Sequence, residues 1–222
     1  MTRTGAAARP AFEDRTESFY EAARVHWRKG AVAVVAVAVI GGGVALYERA
    51  QDSRAQRAEQ ALSQAQRSVV SGNAPLAQTD LQKMVKQYDG TPASVQGKLL
   101  LAQLLYDQGK AADGLKILEE AQRSSAGERY RPAIYALMAA GYEQQGKPAD
   151  AAAQYRRAAE SAEYELDRTN YKADAARAYM AAGNKDAAKA LWTELSADPR
   201  GPLAGEARLR LGELTAAPAP RS

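Results

Sequence analysis

The side chains that most often carry catalysis or bind metals are scarce and scattered in this sequence of 222 residues. There is no cysteine, which excludes disulfides, thiol catalysis and thiolate metal sites. The single histidine, His26, stands just before a long uncharged run, where contact with lipid headgroups is a better interpretation than catalysis. Adjacent acids such as Glu119 and Glu120 fit solvated helix faces, and the zinc-protease, phosphate-loop and serine-hydrolase motifs do not occur. The sequence therefore predicts neither an enzyme nor a bound cofactor or metal.

The charge balance also narrows the class of partner. The chain has 30 Lys and Arg against 26 Asp and Glu, a net charge of +4, and the basic residues are not clustered. A nucleic-acid-binding protein would concentrate them on one face. We therefore expect no nucleic acid as a partner. The many alanines favour helices that pack closely against one another, and we expect such a helical protein to bind other proteins.

Four glycines recur at a fixed interval and point to the elements that carry any binding surface. Gly72, Gly109, Gly146 and Gly183 stand 37 residues apart, and each follows a stretch of apolar helical pattern. A residue that ends a helix often needs positive φ, which glycine adopts without strain. A period of this length is typical of stacked helix–turn–helix units. The sequence therefore predicts an all-α solenoid.

Within each unit, the residue types repeat as well. The clearest unit has Tyr135, Met138, Ala139, Tyr142, Gly146, Ala151, Tyr155 and Ala158. This alternation of large, small and aromatic residues resembles the tetratricopeptide repeat. The resemblance implies an array of about four helix pairs within residues 48–216, closed by a capping helix from Leu203 to Leu214.

A tetratricopeptide array implies a concave groove formed by the first helix of each pair. Its candidate residues here are apolar with scattered polar groups, and could hold an extended or helical polypeptide segment. Some of them could instead pack between repeats, and the sequence leaves that open. The candidates are Leu62, Gln66, Val69, Leu99, Gln103, Tyr106, Asp107, Ala140, Glu143, Gln144, Arg177 and Met180.

The uncharged run from Gly30 to Tyr47 predicts a single transmembrane helix before the solenoid. At about 1.5 Å per residue its length is close to the roughly 30 Å of a bilayer core, and Trp27 and Tyr47 flank it as interfacial aromatics. We expect an uncleaved anchor through the lipid bilayer, although cleavage near 43–45 is an alternative. The tail 1–29 would be cytoplasmic, and residues 10–27 would form an amphipathic helix or a partly ordered tail. Residues 217–222 are expected to be disordered.

The whole layout is similar to one family. An aromatic-basic run (26–30) precedes the span, and a helix rich in Ala, Gln and Arg follows it at 50–70. The loosely matched repeats come next, and they include the segments 88–92 and 99–109. This order is similar to that of the YfgM-like ancillary subunits of the bacterial SecYEG translocon, which more often have proline where this chain has Asp89.

The resemblance implies a single-pass protein of the bacterial inner membrane, with its N-terminus cytoplasmic and its repeats periplasmic. Its expected partners would be the Sec translocon, a membrane-anchored prolyl isomerase-like chaperone and newly exported polypeptides. The alternative is an envelope scaffold for cell-wall or outer-membrane assembly proteins. Residues 50–70 could also support a weak homo-oligomer, although they lack the sustained heptads of a good coiled coil.

Overall fold

The computed structural model describes the backbone of residues 13–216 and the side chains of residues 39–216. Over this range the chain is helical, in agreement with the predicted all-α solenoid. The helices are α1 (Glu13–Val70), α2 (Ala74–Gln87), α3 (Pro92–Asp107), α4 (Ala111–Arg123), α5 (Arg131–Gln144), α6 (Pro148–Ser161), α7 (Glu165–Ala181), α8 (Lys185–Ser196) and α9 (Ala204–Thr215). A short 3₁₀ helix, Ser125–Tyr130, joins α4 to α5.

Residues 1–53 and 54–222 form two separate compact units. In the first, the described backbone belongs to α1, which is helical throughout the predicted span 30–47. Among the residues that the structure describes, no helix has both the length and the apolar character needed to cross a membrane. The side chains of 30–38, together with residues 1–12 and 217–222, lie outside that description, so the span remains a prediction, as do the expectations for the two chain ends.

In the second unit, the periodic glycines form the turns inside the helix pairs. Gly72, Gly109, Gly146 and Gly183 have φ of 74°, 73°, 68° and 76°, the left-handed conformation that the sequence predicts. The N–H of Gly109 donates to the carbonyl of Tyr106 (2.9 Å), and the N–H of Lys110 donates to that of Leu105 (2.8 Å). This pair of bonds defines a Schellman cap. The same two bonds recur at Gly146 and Gly183, so three turns share one geometry.

Small residues at the same period allow the helices of a pair to approach. Ala65, Ala102, Ala139 and Ala176 stand 37 residues apart in the first helices, and none has any exposed surface. In the second helices, Ala77, Ala151 and Ala188 are equally buried, and Gly114 occupies the matching place in α4. Since a larger side chain would separate the helix axes, this repeated small residue fixes the spacing within each pair.

An aromatic ring inserted between two glycines fills the centre of the solenoid. Tyr106 on α3 is 5% exposed and packs with Leu115 and Met138. A Cβ added at Gly114 would lie 2.8 Å from its Cδ1, and one added at Gly141 would lie 2.7 Å from its Cζ. Only glycine leaves room for this ring from both sides. Its hydroxyl is buried without a hydrogen-bond partner among the described residues, and burial raises the pKa of the phenol.

Helix α9, the last one in the described part of the chain, covers the end of the array. Ala207 is fully buried against Trp192 of α8, and Leu211 and Leu214 pack on the same cluster. Trp192 has no exposed surface and donates its indole N–H to the sulfur of Met180 (3.3 Å). The cap thereby buries an apolar face that a further repeat would otherwise cover.

Candidate protein-binding groove

The first helices of three consecutive pairs line one open groove of about 410 Å³. Helices α3, α5 and α7 each contribute residues to it, and Tyr155 of α6 reaches in from the second helix of its pair. The lining residues are Leu99, Leu100, Gln103, Ala133, Ala136, Leu137, Tyr155, Tyr171 and Asp174. The groove therefore lies on the face formed mainly by first helices.

The lining is largely apolar, with polar atoms from α3, α6 and α7. The hydroxyl of Tyr155 donates to Oε2 of Glu143 (3.2 Å), and burial beside this carboxylate raises the pKa of the phenol. Burial likewise raises the pKa of Tyr171, with smaller contributions from Asp167 and Asp174. Both phenols stay protonated at neutral pH and can donate hydrogen bonds. Such a surface can bury apolar side chains and bond to a polypeptide backbone.

Asp174 is the acidic residue of the groove. Burial raises the pKa of its carboxyl, and the neighbouring Arg177 acts in the opposite direction. Its Oδ1 accepts a bond from Nη1 of Arg177 at 2.6 Å. Asp174 is therefore a half-buried carboxylate with one cationic neighbour.

Arg177 is held in place by the last described helix. Its Nε and Nη2 donate to the two carboxylate oxygens of Glu206 on α9, at 2.9 and 2.7 Å. Its guanidinium also lies 5.9 Å from the centre of the Trp192 ring. A bidentate pair with this geometry fixes the side chain, so Arg177 ties the capping helix to α7.

The predicted groove residues divide into three groups. Leu99 and Gln103 line the groove directly. Leu62 (3% exposed) and Tyr106 (5% exposed) are buried in the core, because they contact the second helices of their own pairs, and this corrects their placement on a binding surface. The other eight residues are at least partly accessible, and their contact with a partner remains a prediction; they are Gln66, Val69, Asp107, Ala140, Glu143, Gln144, Arg177 and Met180.

The sequence list names Arg177 and Met180 on α7 but misses Tyr171 and Asp174, the α7 residues that line the groove. By repeat position, Ala173 is the counterpart of Leu99 and Ala136, yet Ala173 is fully buried and its neighbour Asp174 lines the groove. Asp174 is itself the repeat counterpart of Leu100 and Leu137, which also line the groove, so α7 keeps this position and places a carboxylate there. The one available signal was the polar pair Tyr171 and Asp174 within an otherwise alanine-rich helix.

The sequence matches the family described as the tetratricopeptide repeat-like domain over residues 25–216. This is most of the chain. The protein belongs to the tetratricopeptide repeat-like family. The repeat pattern, the Schellman turns and the groove of first helices agree with that membership, and members of this fold act as scaffolds for protein–protein interaction.

A solved structure agrees with this tetratricopeptide repeat-like fold. It is the crystal structure of a Podosopora anserina protein titled as a kinesin light chain with nearly identical TPR-like repeats. That structure has a TM-score of 0.57 and 18% sequence identity, over 72% of this chain and 85% of its own. At this identity the likeness concerns the fold alone. No curated protein matches the sequence.

Proposed function

We propose that this protein holds segments of other polypeptides in the groove lined by α3, α5 and α7. The observation that carries the proposal is the groove itself, because three successive first helices leave an apolar surface partly open to solvent. Leu99, Leu100 and Leu137 supply aliphatic area, and Gln103 with the two tyrosines supplies hydrogen-bonding groups. Burying apolar side chains of a partner would stabilise the complex by about 25 cal/mol per Å² of area removed from water, before ordering costs.

We further propose that the protein performs this role at the bacterial inner membrane, as an accessory of the Sec translocon that receives newly exported polypeptides. What supports this is the order of segments in the sequence, with an uncharged run at 30–47 before the repeats. In this proposal the N-terminus is cytoplasmic and the repeats are periplasmic. A groove with few charged groups suits a client-holding role, because it demands little of the sequence that it binds.

Site-specific photo-crosslinking in native membranes tests both proposals. A photoreactive residue at Gln103, Ala136 or Glu143 would sample the groove and its edge, and one at Lys116, exposed on α4, is the matched control. We expect many exported polypeptides at the first three positions and few at Lys116. Translocon subunits and a prolyl isomerase-like chaperone should appear among the crosslinked proteins.

Other outcomes would redirect the proposal. Equal crosslinking at Lys116 and at Gln103 would refute the groove as the binding surface. One or two fixed envelope proteins at the groove positions, without translocon subunits, would instead favour the envelope scaffold. If alkaline carbonate extracts the protein from membranes, the proposed anchor is wrong.

A further inference from the structure

The groove is not electrically neutral, although most of its lining is uncharged. Among the described residues that line it, Asp174 is the one with a charged side chain. Glu143 lies beside the groove, where it accepts the bond from Tyr155. Two negative side chains, Asp174 and Glu143, therefore stand at the α5–α7 side of the groove.

The nearest described cation does not balance this charge. Arg177 is shared between Asp174 and the two oxygens of Glu206. Arg210 pairs in turn with Glu206 at 3.8 Å and with Glu213 at 2.9 Å. The described ion-pair network that begins at Asp174 thus contains three carboxylates and two guanidiniums. It keeps one negative charge in excess, and its Asp174 end opens into the groove.

We propose that the segment bound in this groove carries a lysine or arginine flanked by aliphatic or aromatic residues. The cation would lie against Asp174, and the flanking side chains would cover Leu99, Leu100 and Leu137. An acidic segment would meet Asp174 and Glu143 as like charges and be rejected. This inference rests on the proposed function, because it names the chemistry of the polypeptide that the groove holds.

Fluorescence anisotropy with short labelled peptides tests the proposal on the full-length protein. The peptides share one scaffold of leucine, alanine and serine, and differ at a central lysine, norleucine or glutamate. We expect the lysine peptide to bind roughly threefold to tenfold more tightly than the norleucine peptide, and the glutamate peptide to bind least. Higher salt should weaken only the binding of the lysine peptide towards that of the norleucine peptide.

Three variants separate this proposal from the proposed function. Asp174→Asn should abolish the preference for lysine and keep binding of the norleucine peptide. Asp113→Asn, the matched control, removes an exposed carboxylate on α4 that lies outside both the groove lining and this ion-pair network and should keep the preference. Ala136→Trp fills the groove and should abolish binding of every peptide.

Each remaining outcome overturns one of the two ideas. If the lysine and norleucine peptides bind equally, or if Asp174→Asn retains the preference, the cationic segment is wrong while the groove stands. If peptides bind equally well to Ala136→Trp, or none binds the natural protein, the proposed function fails as well. If Asp174→Asn unfolds, the salt dependence of peptide binding to the natural protein tests the proposal instead. A preference for the lysine peptide that survives high salt would contradict a charge-based origin.

Discussion

Replacing Gly141 by alanine should destabilise the fold, although alanine is the better helix former. Gly141 is fourth from the end of α5, and a Cβ there would lie 2.7 Å from Cζ of Tyr106 and nearer still to its hydroxyl. On the other side, Cδ2 of Leu115 would be 3.1 Å away. Gly114 already lies close to the Cδ1 edge of the same ring, which limits how far the ring can move.

The expected magnitude follows from two opposed terms. Overpacking a tight core costs about 1–3 kcal/mol, and a buried ring held on both sides places this site at the upper end of that range. Alanine in place of glycine gains about 1 kcal/mol of helix propensity. We therefore expect Gly141→Ala to lower the free energy of unfolding by about 1–2 kcal/mol.

Gly212→Ala is the matched control for this prediction. Gly212 is also fourth from the end of its helix, α9, and a Cβ there would meet no atom within 4 Å. It should gain up to about 1 kcal/mol, so the two variants should differ by about 1–3 kcal/mol in urea denaturation followed by circular dichroism. Adding Tyr106→Phe to Gly141→Ala should recover part of the loss, because the hydroxyl is the closest atom. Equal effects of the two alanines would refute the argument.

Three further predictions concern the turns and the ion pairs. Gly146→Ala should cost about 1–2 kcal/mol in urea denaturation, because φ there is 68°, and Gly146→Asn should cost less. Asp89→Asn should cost about 1–2 kcal/mol, because it removes the partner, 2.8 Å away, of a Lys98 side chain that is only 5% exposed. The bond from Lys98 lowers the pKa of Asp89 below its ordinary 3.8. The stabilisation from this pair is therefore complete above pH 3.8 and is lost as the pH falls through the lowered pKa. The free energies of unfolding of the natural protein and of Asp89→Asn should converge in acid. Arg177→Gln should accelerate hydrogen exchange in α9 while leaving α3–α6 unchanged, and uniform acceleration would contradict the assigned role in the cap.

The repeat architecture could be predicted from sequence because its determinants are local. The left-handed turn at Gly109 depends on one residue without a side chain, and its counterparts recur at a visible period. Alanines such as Ala102 and Ala139 mark the close contact of two helices, which depends on residue volume alone. Leu99 and Gln103 could be assigned to the groove because they occupy positions of the first helix that the repeat pattern assigns to the groove.

The identity of the remaining groove residues depended on tertiary structure. Asp174 lines the groove while its neighbour Ala173 is fully buried, and this division follows from how α7 packs against the helices beside it. Tyr106 looked accessible by position, yet two glycines on other helices accept its ring. Arg177 looked free until α9 supplied Glu206, 29 residues further along the chain. The sequence by itself determined the helices, their turns and the period of the array, because backbone preference and side-chain volume act locally. Only the packed structure decided which faces remain open and which charges are already paired, since both depend on residues far apart in the chain.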